Sequence, residues 1–242
     1  MNGWLMLHFG KKEGRKFSIW KIFLDYVFPK QCFGCQNEGE YLCSACFDKI
    51  ELLENKCYLC SGGTSNLGVC NLCQKESNID EIIVSSHYDN ELSSKLIEAF
   101  KYNFVESLGE TLVNLIERQV FEKQLFSRFE NKVFVPIPLH KKRQIERGFN
   151  QAEILARLLA KKHGGFIELK LLKRKKHTLQ QAKLTREERL VNMKESFIVQ
   201  GQAEEIVLVD DVLTTGATFS EAAKVLKMAG VKKIICVAVC HG

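Results

Sequence analysis

Beyond residue 132 the chain alternates two patterns: short unbroken apolar runs, and longer stretches in which apolar residues recur every three or four positions. The first predicts buried strands and the second amphipathic helices. "VFVPIP", Val133 to Pro138, predicts a strand. "NQAEILARLLAKKHG" predicts a helix capped by Asn150, with Glu153 three residues on, Ile154, Leu155, Leu158 and Leu159 on one face, and an end near Gly164. "FIELKLL", "IVLV" from Ile206, and "KKIICVAV" predict three more strands, with Cys236 and Cys240 as core residues of the last run. Between the last two strands, Thr218 and Glu221 predict a capping box, Phe219, Ala222, Ala223 and Leu226 an apolar face, and Gly230 a stop. Such alternation predicts an α/β fold, a mostly parallel sheet with flanking helices and ligands beyond the carboxyl ends of its strands.

Upstream, "YDNELSSKLIEAFKYNFVESLGETLVNLIERQVFEKQLF" predicts two helices broken near Lys101 to Phe104. "FSIWKIFLDYVF" places Ile19, Trp20, Phe23, Tyr26 and Val27 on one face and predicts a packed helix. The 242 residues, 45% of them hydrophobic, suffice for one sizeable core and a smaller module. The predicted division is an N-terminal extension over 1–29, a cysteine-rich module over 30–78 and the α/β domain over 79–242. No apolar run approaches the roughly 20 residues that span a bilayer. The first ten residues lack a basic flank and a small-residue cleavage site, so the expectation is a cytoplasmic protein.

Eight of the ten cysteines form four Cys-x-x-Cys pairs: Cys32/Cys35, Cys43/Cys46, Cys57/Cys60 and Cys70/Cys73. In a reducing compartment this density points to metal thiolates. Each pair makes a knuckle that turns two sulfurs to one ion, and two knuckles complete a tetrahedral zinc shell. About two structural zinc ions are therefore expected. The gaps of seven and nine residues favour sequential pairing of the knuckles, with an interleaved arrangement also open. The more compact spacing of iron-sulfur motifs is absent.

"IVLVDDVLTTGATF" ends a buried strand in two carboxylates and a threonine-glycine loop. Packing alone needs neither, and burying Asp210 and Asp211 unpartnered is costly. A loop of backbone N–H groups at a helix start, with hydroxyls from Thr214, Thr215 and Thr218 and close approach at Gly216, suits a phosphate monoester. Paired acids one step earlier suit vicinal hydroxyls or hydrated Mg²⁺. Together they describe a ribose 5-phosphate. A Walker loop and a dinucleotide fingerprint are both absent.

The same stretch resembles the phosphoribosyl pyrophosphate (PRPP) signature of type I phosphoribosyltransferases. With "VPIPLHKKRQIERGFNQAEILA", "TLQQAKLTREERLVNMKESF" and the leading knuckles, the chain resembles the ComF family from about Phe28 to Val239. The resemblance implies a phosphoribosyltransferase-type fold and a role in natural transformation or the use of imported single-stranded DNA. It implies that Asp210 and Asp211 contact the ribose hydroxyls and act in catalysis, that Leu213, Thr214, Thr215, Gly216, Ala217 and Thr218 hold the 5-phosphate, and that Lys142, Arg143 and Arg147 meet the pyrophosphate. It also implies PRPP with Mg²⁺, and a closing loop over Lys173 to Asn192 with Thr178, Gln181, Arg189 and Asn192 as contacts. The acceptor stays open, as does a non-catalytic alternative that senses PRPP or binds a helicase-like partner. His140, His163 and His177 lie near these motifs but are read as surface residues.

Charge narrows the ligand class. The net +6 is uneven: residues 132–200 hold 17 Lys/Arg against 6 Asp/Glu. PRPP needs only a few of these cations, and "KRKK" at Lys173 to Lys176 leaves room for single-stranded DNA held by its phosphates, with a solvated basic loop as the alternative reading of that run.

Overall fold

The structure, a computed structural model, describes residues 30–102, 108–139, 141–175 and 196–242. The expected helix around Ile19 to Val27, and His140, Lys176, His177, Thr178, Gln181, Arg189 and Asn192, lie outside the described residues. Among the described residues no helix is long and apolar enough to cross a membrane.

Among the described residues, six parallel strands make the sheet. They are β1 (Glu81–His87), β2 (Val133–Pro136), β3 (Phe166–Ile167), β6 (Glu205–Val209), β7 (Val212–Leu213) and β8 (Lys233–His241), ordered β1-β8-β6-β2-β3 with β7 beside the end of β8. Burial on both faces explains the unbroken apolar runs, because a strand covered above and below has no polar side. Val207 and Val209 join one core with α4 (Leu108–Glu122) and α6 (Gln151–Lys162), whereas Ile206 and Leu208 join the other with α7 (Ala217–Met228). Asn150 caps α6 as expected, its side chain accepting from Ala152 N at 3.1 Å. Its amide also donates to Ile137 O at 3.0 Å, which ties the helix start to the end of β2.

Two expectations fail. "FIELKLL" is not one strand. After Ile167 the chain turns, with Glu168 accepting from Lys170 N at 2.9 Å, and the run resumes as β4 (Leu172–Arg174), antiparallel to β5 (Phe197–Val199) in a separate ribbon. Local side-chain hydrogen bonding of this kind competes with a strand ladder. The capping box of Thr218 and Glu221 is also displaced, since α7 starts at Ala217 and Gly216, at φ +76°, occupies the cap position. The two upstream helices form as α3 (Glu91–Tyr102) and α4.

The cysteine-rich region, with α1 (Ser44–Phe47) and α2 (Asn71–Ser77), covers the β1 side of the sheet. Leu53 N donates to Ser85 O at 3.0 Å and Ile82 N to Leu67 O at 2.9 Å, so its backbone satisfies the outer edge of β1. The two halves of the region part company. Cys32, Leu42, Cys46 and Ile50 enter the α4 core, while Leu53, Cys57, Tyr58, Val69 and Cys73 enter the α7 core. Arg118 of α4 holds the first half, donating to Phe47 O at 3.1 Å and Ile50 O at 3.0 Å.

Candidate functional site

The two acids stand where the ladder of β6 on β8 pauses. Val209 pairs with Val237 and Val212 with Cys240, the same offset, so Asp210 and Asp211 interrupt the edge without shifting it. Asp211 is buried and its Oδ2 lies 3.2 Å from Lys101 Nζ at the end of α3. Asp210 Oδ1 accepts from Asp211 N at 2.9 Å. The loop then runs to Gly216, and α7 follows. The first N–H groups of a helix have no intrahelical acceptor and carry its positive end, which makes this turn a receptor for an anion.

Opposite the loop, a cavity of ≈ 470 Å³ gathers residues distant in sequence. Asp210, Asp211, Leu213, Thr214, Gly216, Ala217 and Thr218 line one side, and Lys101, Arg143, Arg147 and Arg174 supply cations around it. Thr215 is not among the lining residues. Its Oγ1 accepts from Ala217 N at 3.4 Å, so this hydroxyl serves the turn. Lys142 belongs to α5 (Lys141–Arg147), and its side chain lies outside what is described. His163, expected at the surface, has a largely buried side chain; it pairs with Glu117 at 2.9 Å and does not line the cavity.

The electrostatics are unfinished. Burial, then the charge of Asp211, pushes Asp210 up to about 7. Burial, then the like charge of Arg143, brings Arg174 down to about 10, and burial with Arg147 beside it lowers Arg143. At Lys101 burial alone would lower the ammonium, but the neighbouring Asp211 carboxylate outweighs it and holds the group above its ordinary value. Crowded, desolvated guanidiniums are relieved by a multiply charged anion. Arg147 also stacks 5.6 Å over Tyr102 and donates to Gln151 Oε1 at 3.3 Å. The buried Gln151 lines the cavity, and its amide nitrogen finds no acceptor among the described residues.

The cysteines form two four-thiol centres, Cys32/Cys35/Cys43/Cys46 and Cys57/Cys60/Cys70/Cys73, each with its sulfurs within 4.8 Å of one another. The knuckles pair sequentially. Sulfur separations of 3.7 Å (Cys32–Cys43), 3.6 Å (Cys35–Cys43) and 3.9 Å (Cys60–Cys70) fit the roughly 3.8 Å edge of a tetrahedron with Zn–S bonds of about 2.3 Å. Burial opposes ionisation of Cys32 and Cys57, yet backbone N–H groups from their own and the facing knuckles bring both thiols down to about 6. The donor set suits a closed structural zinc site, which would hold shape and leave no open position for chemistry.

Lys101 and Gln151 escaped the sequence reading, and Arg174 figures there only as part of a basic run and of a closing loop. Lys101 looks like any polar residue of an amphipathic helix, and only the fold brings it to Asp211, 110 positions on. Arg174 sits within "KRKK", a run that reads as one basic stretch; β4 turns Arg174 into the cavity and leaves Lys173 and Lys175 exposed. Gln151 directly follows the cap of α6, and that position was a usable signal.

Comparison with known proteins agrees with this arrangement. Residues 145–242 match the phosphoribosyl transferase domain family, and residues 23–74 the double zinc ribbon domain family. The chain is 30% identical over 203 residues to "Competence protein ComFC" of Bacillus subtilis, covering 79% of this chain and 80% of that one. It is 28% identical over 215 residues to "Competence protein F" of Haemophilus influenzae, covering 84% and 86%. With "DNA utilization protein YhgH" of Escherichia coli it shares 27% identity over 194 residues, covering 78% and 85%.

Proposed function

Since the chain belongs to the ComF family, we propose that it binds PRPP in the cavity between the Asp210–Thr218 loop and the arginine wall, and serves the use of DNA taken up by the cell. One observation carries this reading: two acids and a helix-capping loop face three guanidiniums across a single cavity. A ribose needs the acids, its 5-phosphate needs the loop, and a pyrophosphate at C1 needs the cations.

In this reading the diol of the ribose lies against Asp210 and Asp211, and the 5-phosphate takes backbone N–H groups near Gly216 and Ala217 with the hydroxyls of Thr214 and Thr218. Arg143, Arg147 and Arg174 neutralise the pyrophosphate, and Gln151 donates its amide alongside them. Mg²⁺ accompanies PRPP and adds charge neutralisation at the leaving group. When the C1–O bond breaks, its electron pair leaves with pyrophosphate, the ring passes through an oxocarbenium-like state, and an acceptor forms the new bond at C1. Preorganised cations favour that step because the charge they meet grows as the bond breaks. Exposed Lys173 and Lys175, flanking Arg174, extend the positive surface for a DNA backbone.

Calorimetry with PRPP and Mg²⁺ tests the binding. Asp211→Asn and Arg143→Ala should each weaken it at least tenfold, the worth of about 1.4 kcal/mol, and unchanged affinity in both variants would refute the site. Pyrophosphate release in the presence of candidate acceptors separates a transferase from a PRPP-sensing adaptor, which would bind without turnover.

A further inference from the structure

We propose that Leu59, inside the Cys57–Cys60 knuckle, is a positioning residue of the phosphate loop, so that the second cysteine centre and the phosphate site form one mechanical unit. The inference rests on the reading of Leu213 to Thr218 as a phosphate receptor. Gly216 holds a left-handed φ of +76°, which disfavours any side chain, and a Cβ placed there would come within 2.2 Å of Leu59 Cδ2. The leucine is therefore seated directly on the glycine. It packs in the same apolar cluster as Leu213, Ala217 and Phe219, which flank Gly216 on either side.

The neighbouring knuckle residue makes a second tie. Tyr58 O accepts from His241 Nε2 at 2.9 Å, and the two rings lie 5.6 Å apart. His241 is in turn the register partner of Leu213, and Gly242 N donates to Leu213 O at 2.9 Å. Tyr58 thus reaches the start of the loop through β8, and Leu59 presses on its end. Cys57 and Cys60 bracket both residues, so fixing the thiols fixes the two contacts. N–H groups that must converge on one phosphate gain from being held before the ligand arrives. The first knuckle offers nothing comparable, since Gly34 packs against Cys46 and Leu92, away from the loop.

The test uses the full chain and its Leu59→Ala, Leu59→Met, Gly216→Ala and Leu59→Ala/Gly216→Ala variants. Zinc content, calorimetry with ribose 5-phosphate and with PRPP, and amide exchange in the ligand-free protein are measured. Leu59→Ala should keep the parent's zinc, bind ribose 5-phosphate about tenfold more weakly, and speed exchange across 213–219 while leaving 222–228 unchanged. Leu59→Met should restore both readouts. Gly216→Ala should lose less affinity in the Leu59→Ala background than alone, because the clash has gone. Parent-like affinity and exchange in Leu59→Ala, or strictly additive losses in the double variant, would overturn the proposal. A parent that binds neither ribose 5-phosphate nor PRPP would instead overturn the phosphate reading, and unchanged loop exchange in Leu59→Ala would then refute the mechanical tie by itself.

Discussion

The first cysteine centre leans on α4 and the second on the loop that opens α7, although both present four thiols in the same knuckle geometry. The first is anchored by Arg118, which donates to Phe47 O at 3.1 Å and to Ile50 O at 3.0 Å. Around the second, the knuckle touches the candidate anion site itself. Identical ligand sets therefore rest on different elements, and what separates them is the face of the sheet each reaches. Spacing of cysteines alone cannot reveal this, because it fixes how thiols meet an ion and says nothing of what the knuckle rests upon.

The sharpest way to break the comparison is to remove one centre at a time. Cys46→Ser and Cys73→Ser should each lose about one zinc and a large part of the folding energy coupled to that ribbon, which for isolated zinc modules is on the order of 10 kcal/mol. Metal analysis and thermal melts should place both variants together. PRPP calorimetry should part them: only Cys73→Ser should lose binding once the temperature is low enough for both to remain folded. Equal loss in the two would abolish the distinction.

A finer cut leaves both ions in place. Arg118→Met removes two charge-assisted hydrogen bonds to the first ribbon and should cost about 2–3 kcal/mol in urea melts, with PRPP affinity unchanged. A change in affinity would mean that the first ribbon also supports the site.

Titration sharpens the contrast further, because the loop that opens α7 carries an acid displaced upward. Folded Asp210 keeps its proton up to about 7, whereas the unfolded carboxyl releases it near 3.8. Between those values the folded state binds more protons, so stability contributed by this group falls as pH rises from about 4 to about 7 and is flat outside that window. Asp210→Asn should flatten that decline, and melts across the window check it. An undiminished slope in the variant would assign the decline elsewhere.

The smallest effect expected is at the rim. Lys173→Ser with Lys175→Ser should shallow the salt dependence of single-stranded DNA binding by about 0.7 log unit for each phosphate that is no longer neutralised, equally for mixed-sequence and poly-dT strands. Arg174 is kept in this variant because it lines the cavity.

What could be read from the chain followed the local physics. The sheet was legible because strands buried on both faces become apolar runs, as at Ile206 to Val209, and the polar turn after it because acids at such a strand end demand partners. Asn150 was legible as a cap because its signal lies within three residues. "FIELKLL" misled because its composition fits a strand while Glu168 supplies a competing turn. Thr218 misled because a left-handed glycine two residues before it caps the helix without any side chain. Lys101 and the place of Arg174 in the cavity were invisible for one reason: each meets residues brought near only by the fold.

β8 lies between β1 and the β6–β7 pair and pairs with all three, yet it follows every other strand in sequence. During synthesis, then, the knuckles can take up metal as soon as residue 73 clears the ribosome, since their thiols are near neighbours along the chain. The sheet cannot. Until residues 233–241 emerge, β1 and β6 each expose an unpaired inner edge, and Asp210 N has no Val237 O to meet. The nascent chain thus gathers its cysteine centres first, while the candidate anion site is completed with residues 233–241, when one strand joins both halves at once. A ribosome stalled before residue 233 would carry both ribbons against β1 and α4, beside a sheet whose two halves are not yet joined.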